Sequence, residues 1–139
     1  MGYEADDDRT RVDLEAVWGF LSTEAYWSRW RTRADVEKQV LNAWRVVGVY
    51  QSESGDQVGF ARAMSDGVSD AYLADVFVRE GHRGRGLGRL LVSTMIDDGP
   101  GADFRWMLFT SDAHGLYRRF GFAAPGDGML VRPERPHSR

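Results

Sequence analysis

The chain has 139 residues, a formal net charge of −3, 42% hydrophobic and 12% aromatic residues, and no cysteine. That length makes one domain, with apolar material enough for a core. The charged fraction, 28% and nearly balanced in sign, excludes a disordered polyelectrolyte and a surface built as a whole for nucleic acid. Without cysteine there is no disulfide framework, thiolate ligand or Cys nucleophile, and His82, His114 and His137 share no metal-ligand spacing, so no metal is expected. No run is long and apolar enough to span a membrane, and the acidic first eleven residues lack the apolar segment of a signal peptide, so a cytoplasmic protein is expected.

Taken in chain order, the first ten residues are either a short edge strand or loop. Leu14, Val17, Trp18 and Leu21 share one helical face and predict a helix from Asp13 to Leu21. Tyr26, Trp27 and Trp30 then interleave with Arg29, Arg31 and Arg33, and a second helix is predicted from Ala34 to Ala43. From Val46 the period becomes two. Strands are predicted over Val46–Gln51, Gln57–Met64 and Ala71–Val78, separated by polar turns. Leu90, Leu91, Met95 and Ile96 mark a third helix that stops at Gly99-Pro100-Gly101. Phe104–Thr110 reads as a strand, Ala113 to Phe120 as a short helix, and Met129–Val131 as a last strand. Arg132 to Arg139 reads as a flexible tail. Three meandering strands are antiparallel, and the strand–helix–strand unit that follows is parallel by a right-handed crossover. The expected fold is therefore α/β in three layers, a mixed and mostly antiparallel sheet with helices on both faces, forming one domain over residues 1–139.

The chemistry concentrates between Arg79 and Arg89, where four arginines, four glycines and a single glutamate follow a strand and open a helix. Glycine lets a ligand approach the backbone, and the first helical turn presents unpaired N–H groups that favour an anion. A pyrophosphate suits this loop. A P-loop is excluded, because no Lys-Ser/Thr follows Gly86, and the G-x-G-x-G spacing does not fit the dinucleotide fingerprint.

Arg83-Gly84-Arg85-Gly86-Leu87-Gly88 resembles the R/Q-x-x-G-x-G/A motif of the GNAT superfamily of N-acetyltransferases. Leu73 to Val78 resembles its fourth strand, and Ala113-His114-Gly115-Leu116-Tyr117-Arg118-Arg119-Phe120-Gly121-Phe122 resembles its A-x-x-L-Y-x-x-x-G-F signature. The likeness runs over about Arg45 to Phe122. It implies acetyl-CoA as donor and an amine on a small metabolite or a protein as acceptor, with direct transfer in a ternary complex and no metal. It implies pyrophosphate binding by Arg83, Gly84, Arg85, Gly86, Leu87, Gly88 and Arg89, and pantetheine pairing along Val76, Phe77 and Val78. A backbone N–H near Phe77 or Val78 would polarise the thioester, and Tyr117 would protonate the departing thiolate. A homodimer is compatible with the resemblance.

The sequence departs from the family pattern twice. Glu80 stands where many relatives have Pro. Thr110 stands where many have Asn, with Asp112 as an alternative cap for the helix that follows. Asp75 is either the general base that takes the acceptor's proton or a buried carboxylate that holds a loop, and a water chain could replace it. Trp27 and Trp30 either line the acceptor pocket or pack on the sheet. Arg29, Arg31 and Arg33 either read an acidic acceptor or form a solvated face. The rival to an enzyme is a CoA-binding sensor or interaction module without turnover.

Overall fold

The computed structural model describes residues 2–25 and 30–135. Trp27, a candidate for the acceptor pocket, lies outside them. Two compact units, Met1–Phe109 and Thr110–Arg139, are distinguished.

In the first unit, strand β1 (Tyr3–Asp6) precedes helix α1 (Leu14–Thr23), helix α2 (Arg33–Asn42) and strands β2 (Arg45–Gln51), β3 (Gln57–Ser65) and β4 (Asp70–Val78). Helix α3 (Leu87–Val92) continues directly into a π-helical turn, Ser93–Asp97, and strand β5 (Arg105–Met107) closes the unit. The helix starts are written locally. The Asp13 carboxylate accepts the Ala16 amide at the head of α1, and Thr32 and Asp35 form a reciprocal capping box on α2. The sheet order is β1-β2-β3-β4-β5. All neighbours are antiparallel except β4 and β5, which are parallel as expected. The open choice for the first residues resolves to an edge strand, with Tyr3 opposite Gln51.

Helices lie on both faces of this sheet. Val17, Phe20 and Leu21 of α1 and Val36 and Val40 of α2 bury against Val46, Phe60 and Phe77, and the Phe20 and Phe77 rings stack with centroids 4.0 Å apart. Gly59, the neighbour of Phe60 and therefore turned to the opposite face, lies under α3: a Cβ there would meet Leu91 Cδ1 at 3.3 Å. No helix among the described residues is long and apolar enough to cross a membrane.

In the second unit, helix α4 (His114–Arg118) is the main element. Asp112 does not cap it. The Thr110 hydroxyl accepts the Ala113 amide at 3.1 Å, and His114 Nε2 lies 3.0 Å from the Thr110 carbonyl oxygen. The strand expected over Met129–Val131 does not form. A strand exists only through its ladder, and these three residues pair with no strand among the described residues and stay exposed. The strand expected over Phe104–Thr110 shrinks to Arg105–Met107 for the same reason, since only those three residues pair with β4.

Two glycines separate backbone preference from packing. Gly19 sits inside α1 with nothing within 4 Å of an added Cβ, whereas a Cβ on Gly99 would stand 2.6 Å from the Met95 carbonyl oxygen. Gly19→Ala is expected to raise stability by about 0.5–1 kcal/mol by removing the helical glycine's entropy cost. Gly99→Ala is expected to lower it, because backbone must move. Urea midpoints of the two variants check both signs.

Candidate active site

Strand β4 runs into the Gly-rich loop through a short turn at Glu80–His82. The Tyr3 hydroxyl lies 2.8 Å from His82 Nδ1, which ties that turn to β1. Gly84 and Gly86 have φ of 80° and 77°, which favours glycine, and a Cβ on either would meet nothing within 4 Å. These glycines therefore answer to backbone angle and open space, not to close packing within the chain. Leu87 is buried and anchors the start of α3. Among the described residues, no acceptor is found for the amides of Gly84, Arg85, Gly86, Leu87, Gly88 and Arg89, and the first helical bond is Leu90 N–H to Gly86 O. Six consecutive donors are left for a ligand.

Charge reinforces them. Arg79, Arg85 and Arg89 are exposed, with no acidic partner among the described residues. Arg83 is committed differently. Its Nε donates to the Val78 carbonyl oxygen at 2.9 Å, and Nη2 lies 3.5 Å from Glu24 Oε1.

The edge of β4 next to this loop is open. β5 pairs only with Asp70, Ala71 and Tyr72, so from Leu73 to Val78 that edge has no strand neighbour among the described residues. The Arg79 amide donates to Val58 O on the β3 side. Alternation along the strand then sends Phe77 N–H to β3 and that of Val78 to the open edge. Of the two amides near the strand end, Val78 is the free donor. Phe77 is spent on the ladder and its ring on the core.

Asp75 sits at an irregularity. Phe60 pairs with Phe77 but Arg62 pairs with Ala74, so Asp75 and Val76 together oppose Ala61. This is a β-bulge, and Asp75 alone among the described non-glycine residues has positive φ, 54°. Its carboxylate receives Arg31 Nη1 at 2.8 Å and Nη2 at 2.9 Å, and Arg62 Nε at 2.7 Å. The Asp75 and Arg31 side chains are each 4% exposed. Burial pushes the carboxyl up, but the Arg31 hydrogen bonds and both guanidinium charges outweigh it and hold the pKa below the ordinary range. A carboxylate so held is a poor proton acceptor. Of the two roles open to Asp75, the geometry favours the buried anchor over the general base. Arg31 is likewise no part of a solvated face. Arg33 does conform to one, pairing with Glu15 and Glu37. Trp30 is partly exposed.

The sequence reading missed Arg62. Its signal was present: a lone charge in the run Gly59-Phe60-Ala61-Arg62-Ala63, whose strand is buried, demands a partner.

In the second unit, Tyr117 on α4 is 7% exposed, and its ring meets Phe122 edge-on at 5.7 Å. Burial first, and the Asp112 charge second, push its pKa up to about 12, so it is a phenol and not a phenolate at neutral pH. Its hydroxyl has no hydrogen-bond partner among the described residues. His114 is exposed and turned back on Thr110.

Comparison with known proteins agrees with this arrangement. The acetyltransferase (GNAT) domain family matches residues 43–124. A solved structure of a Xanthomonas campestris pv. campestris protein assigned to the GNAT family is 32% identical, with a TM-score of 0.87 over 95% of this chain and 93% of that one. Histone acetyltransferase TAP1 of Glycine max is 34% identical over 138 residues, 91% of this chain and 58% of the relative. Serotonin N-acetyltransferase 2 of Oryza sativa subsp. japonica, a chloroplastic protein, is 36% identical over 80 residues, 56% of this chain and 40% of the relative. The chain spans about half the length of these curated relatives. It belongs to the GNAT family of acetyltransferases, and the expected mixed sheet with flanking helices is that family's fold.

The ion cluster yields a stability prediction. The folded pKa of Asp75 lies below its ordinary value of 3.8. The stabilisation is therefore complete above that value and is withdrawn as pH falls through the folded pKa. Asp75→Asn leaves two guanidiniums without their anion and is expected to cost a few kcal/mol at pH 7. The deficit should shrink as wild type is acidified below about pH 4. Urea melts at pH 7 and pH 3 measure it. An unchanged midpoint at pH 7 would show that the cluster contributes nothing.

Proposed function

We propose that the chain is an acetyl-CoA-dependent N-acetyltransferase that passes the acetyl group directly to an amine. The observation that carries this reading is the run of six unmatched amides, Gly84 to Arg89, beside the unpaired edge of β4. Open space above Gly84 and Gly86 fits a pyrophosphate laid against the backbone, and Arg79, Arg85 and Arg89 supply charge around it. The free edge at Val76 to Val78 fits the amides of a pantetheine arm, added as a strand would be.

Acetyl-CoA, when bound, supplies the activated acetyl thioester. Val78 N–H donates to the thioester oxygen as negative charge gathers there. Tyr117, protonated at neutral pH, is assigned as the proton donor to the leaving sulfur, on its place in the A-x-x-L-Y signature and its raised pKa. With no cysteine in the chain, the reading needs no covalent acyl-enzyme. The acceptor's proton passes to water rather than to Asp75, whose lone pairs are engaged by two arginines. One relative is named for N-acetylation of serotonin, an amine, which supports an amine acceptor.

Release of free thiol from acetyl-CoA, followed over a panel of amines, tests the reading. Tyr117→Phe is expected to lower kcat by about 10²–10⁴-fold while calorimetry shows CoA affinity unchanged. Full turnover by Tyr117→Phe would remove the acid assignment. Binding of CoA by wild type with no turnover on any amine would favour the sensor over the enzyme.

A further inference from the structure

Arg62 lies mid-strand in β3, opposite Ala74 of β4 and on the face shared with Phe60. Its side chain is 9% exposed. Nε is spent on Asp75, and Nη1 and Nη2 have no acceptor among the described residues. Those two nitrogens are not sealed in: the only fully enclosed, unpartnered side-chain polar atoms among the described residues are Arg45 Nε and the Tyr50 hydroxyl. Arg31 is better satisfied, since it holds both oxygens of Asp75 and gives a further bond to Gln39 Oε1 at 2.7 Å. Two guanidiniums thus share one carboxylate. Among the described residues, one positive charge is left without its own carboxylate where burial makes that costly.

Ala74 presents only a methyl group opposite Arg62. Tyr72, one pair further along, is half-buried with its ring 6.1 Å from that of Phe109. Met64 and Phe109 are exposed at 45% and 65%. A cation at the floor and an aromatic wall beside it suit a small organic anion. The location is four residues back along β4 from Val78, roughly 13 Å at ~3.3 Å per residue, so an acceptor that reaches both places its amine and its carboxylate far apart.

We propose that the Nη pair of Arg62 binds a carboxylate on the acceptor. The acceptor is then an amine that itself carries a carboxylate well separated from it, such as a long ω-amino acid, rather than a polyamine or the side chain of a protein lysine. This rests on the acetyltransferase reading above. The planar fork of arginine accepts a carboxylate with two parallel bonds. The single surplus charge matches a monoanion better than a phosphate dianion, and it repels a second cation on the acceptor.

The test pairs each of a series of α- and ω-amino acids with its carboxamide and compares kcat/KM, corrected for the fraction of free amine. In wild type the best pair should favour the carboxylate by about 10- to 100-fold, the range of a charge-assisted hydrogen bond. Arg62→Met should bring that ratio toward one by raising KM for the acid while leaving CoA affinity unchanged. Arg62→Lys, which keeps the charge but not the fork, should restore part of it. The wild-type ratio needs no variant, so it decides the matter even if Arg62→Met does not fold. Equal rates within every pair, or a preference that survives Arg62→Met, overturn the carboxylate site alone. No transfer to either series, with transfer to another amine, overturns this inference alone; no transfer to any amine, with CoA bound, overturns the acetyltransferase reading with it.

Discussion

Strand β4 serves two neighbours of unequal length, and the arrangement of the first unit follows from that. β3 pairs with it from end to end, but β5 leaves after three residues. Just beyond the last β5 pair, the bulge at Asp75 breaks the regular alternation and the ion cluster fixes it there. An aspartate at φ 54° carries a steric cost in the backbone. Two guanidiniums on its carboxylate oppose relaxation to an ordinary strand residue. The outcome is a strand whose last residues keep one edge free, leading directly into a loop whose amides are also free.

The same chemistry divides the charged residues into two kinds. Arg31, Arg62 and Asp75 are buried and bonded to one another, with the Nη pair of Arg62 left over. Arg79, Arg85 and Arg89 are exposed, with no acidic partner among the described residues, near the loop amides. Net charge does not distinguish these groups, and an acidic chain with a charge of −3 can still present a locally cationic loop. Arg83 belongs to neither. Bonded to the Val78 carbonyl oxygen, it braces the point where strand becomes loop.

Much of this was legible in the sequence, because it depends on local patterning. The alternation in β2, β3 and β4, the helical stripe of α1 and the glycine spacing of the loop each report on a few adjacent residues, and each element formed close to its predicted bounds. The misses have a common physical origin in contacts distant along the chain. Arg31 lies 44 positions from Asp75 and Arg62 lies 13 away, so no periodicity joins them. Asp75 alone reads equally well as base or anchor. Met129–Val131 has a strand's composition without a partner, and composition does not supply one. Thr110 replaces a common Asn without loss of the turn, since a hydroxyl is enough to accept the Ala113 amide. Sequence alone showed the substitution and left its consequence undecided between Thr110 and Asp112.

The central claim is that the backbone itself, from Val76 to Arg89, is the binding surface for the acyl donor. Backbone amide NMR of the ¹⁵N-labelled protein during a CoA titration tests it most directly. The account predicts that the largest shifts, and slowed hydrogen exchange, fall on Gly84 to Arg89 and on Val78. Phe77, already bonded to β3, should be protected before any ligand is added. Saturating CoA that leaves the Gly84–Arg89 amides unshifted, or that perturbs a different set of residues, would contradict it.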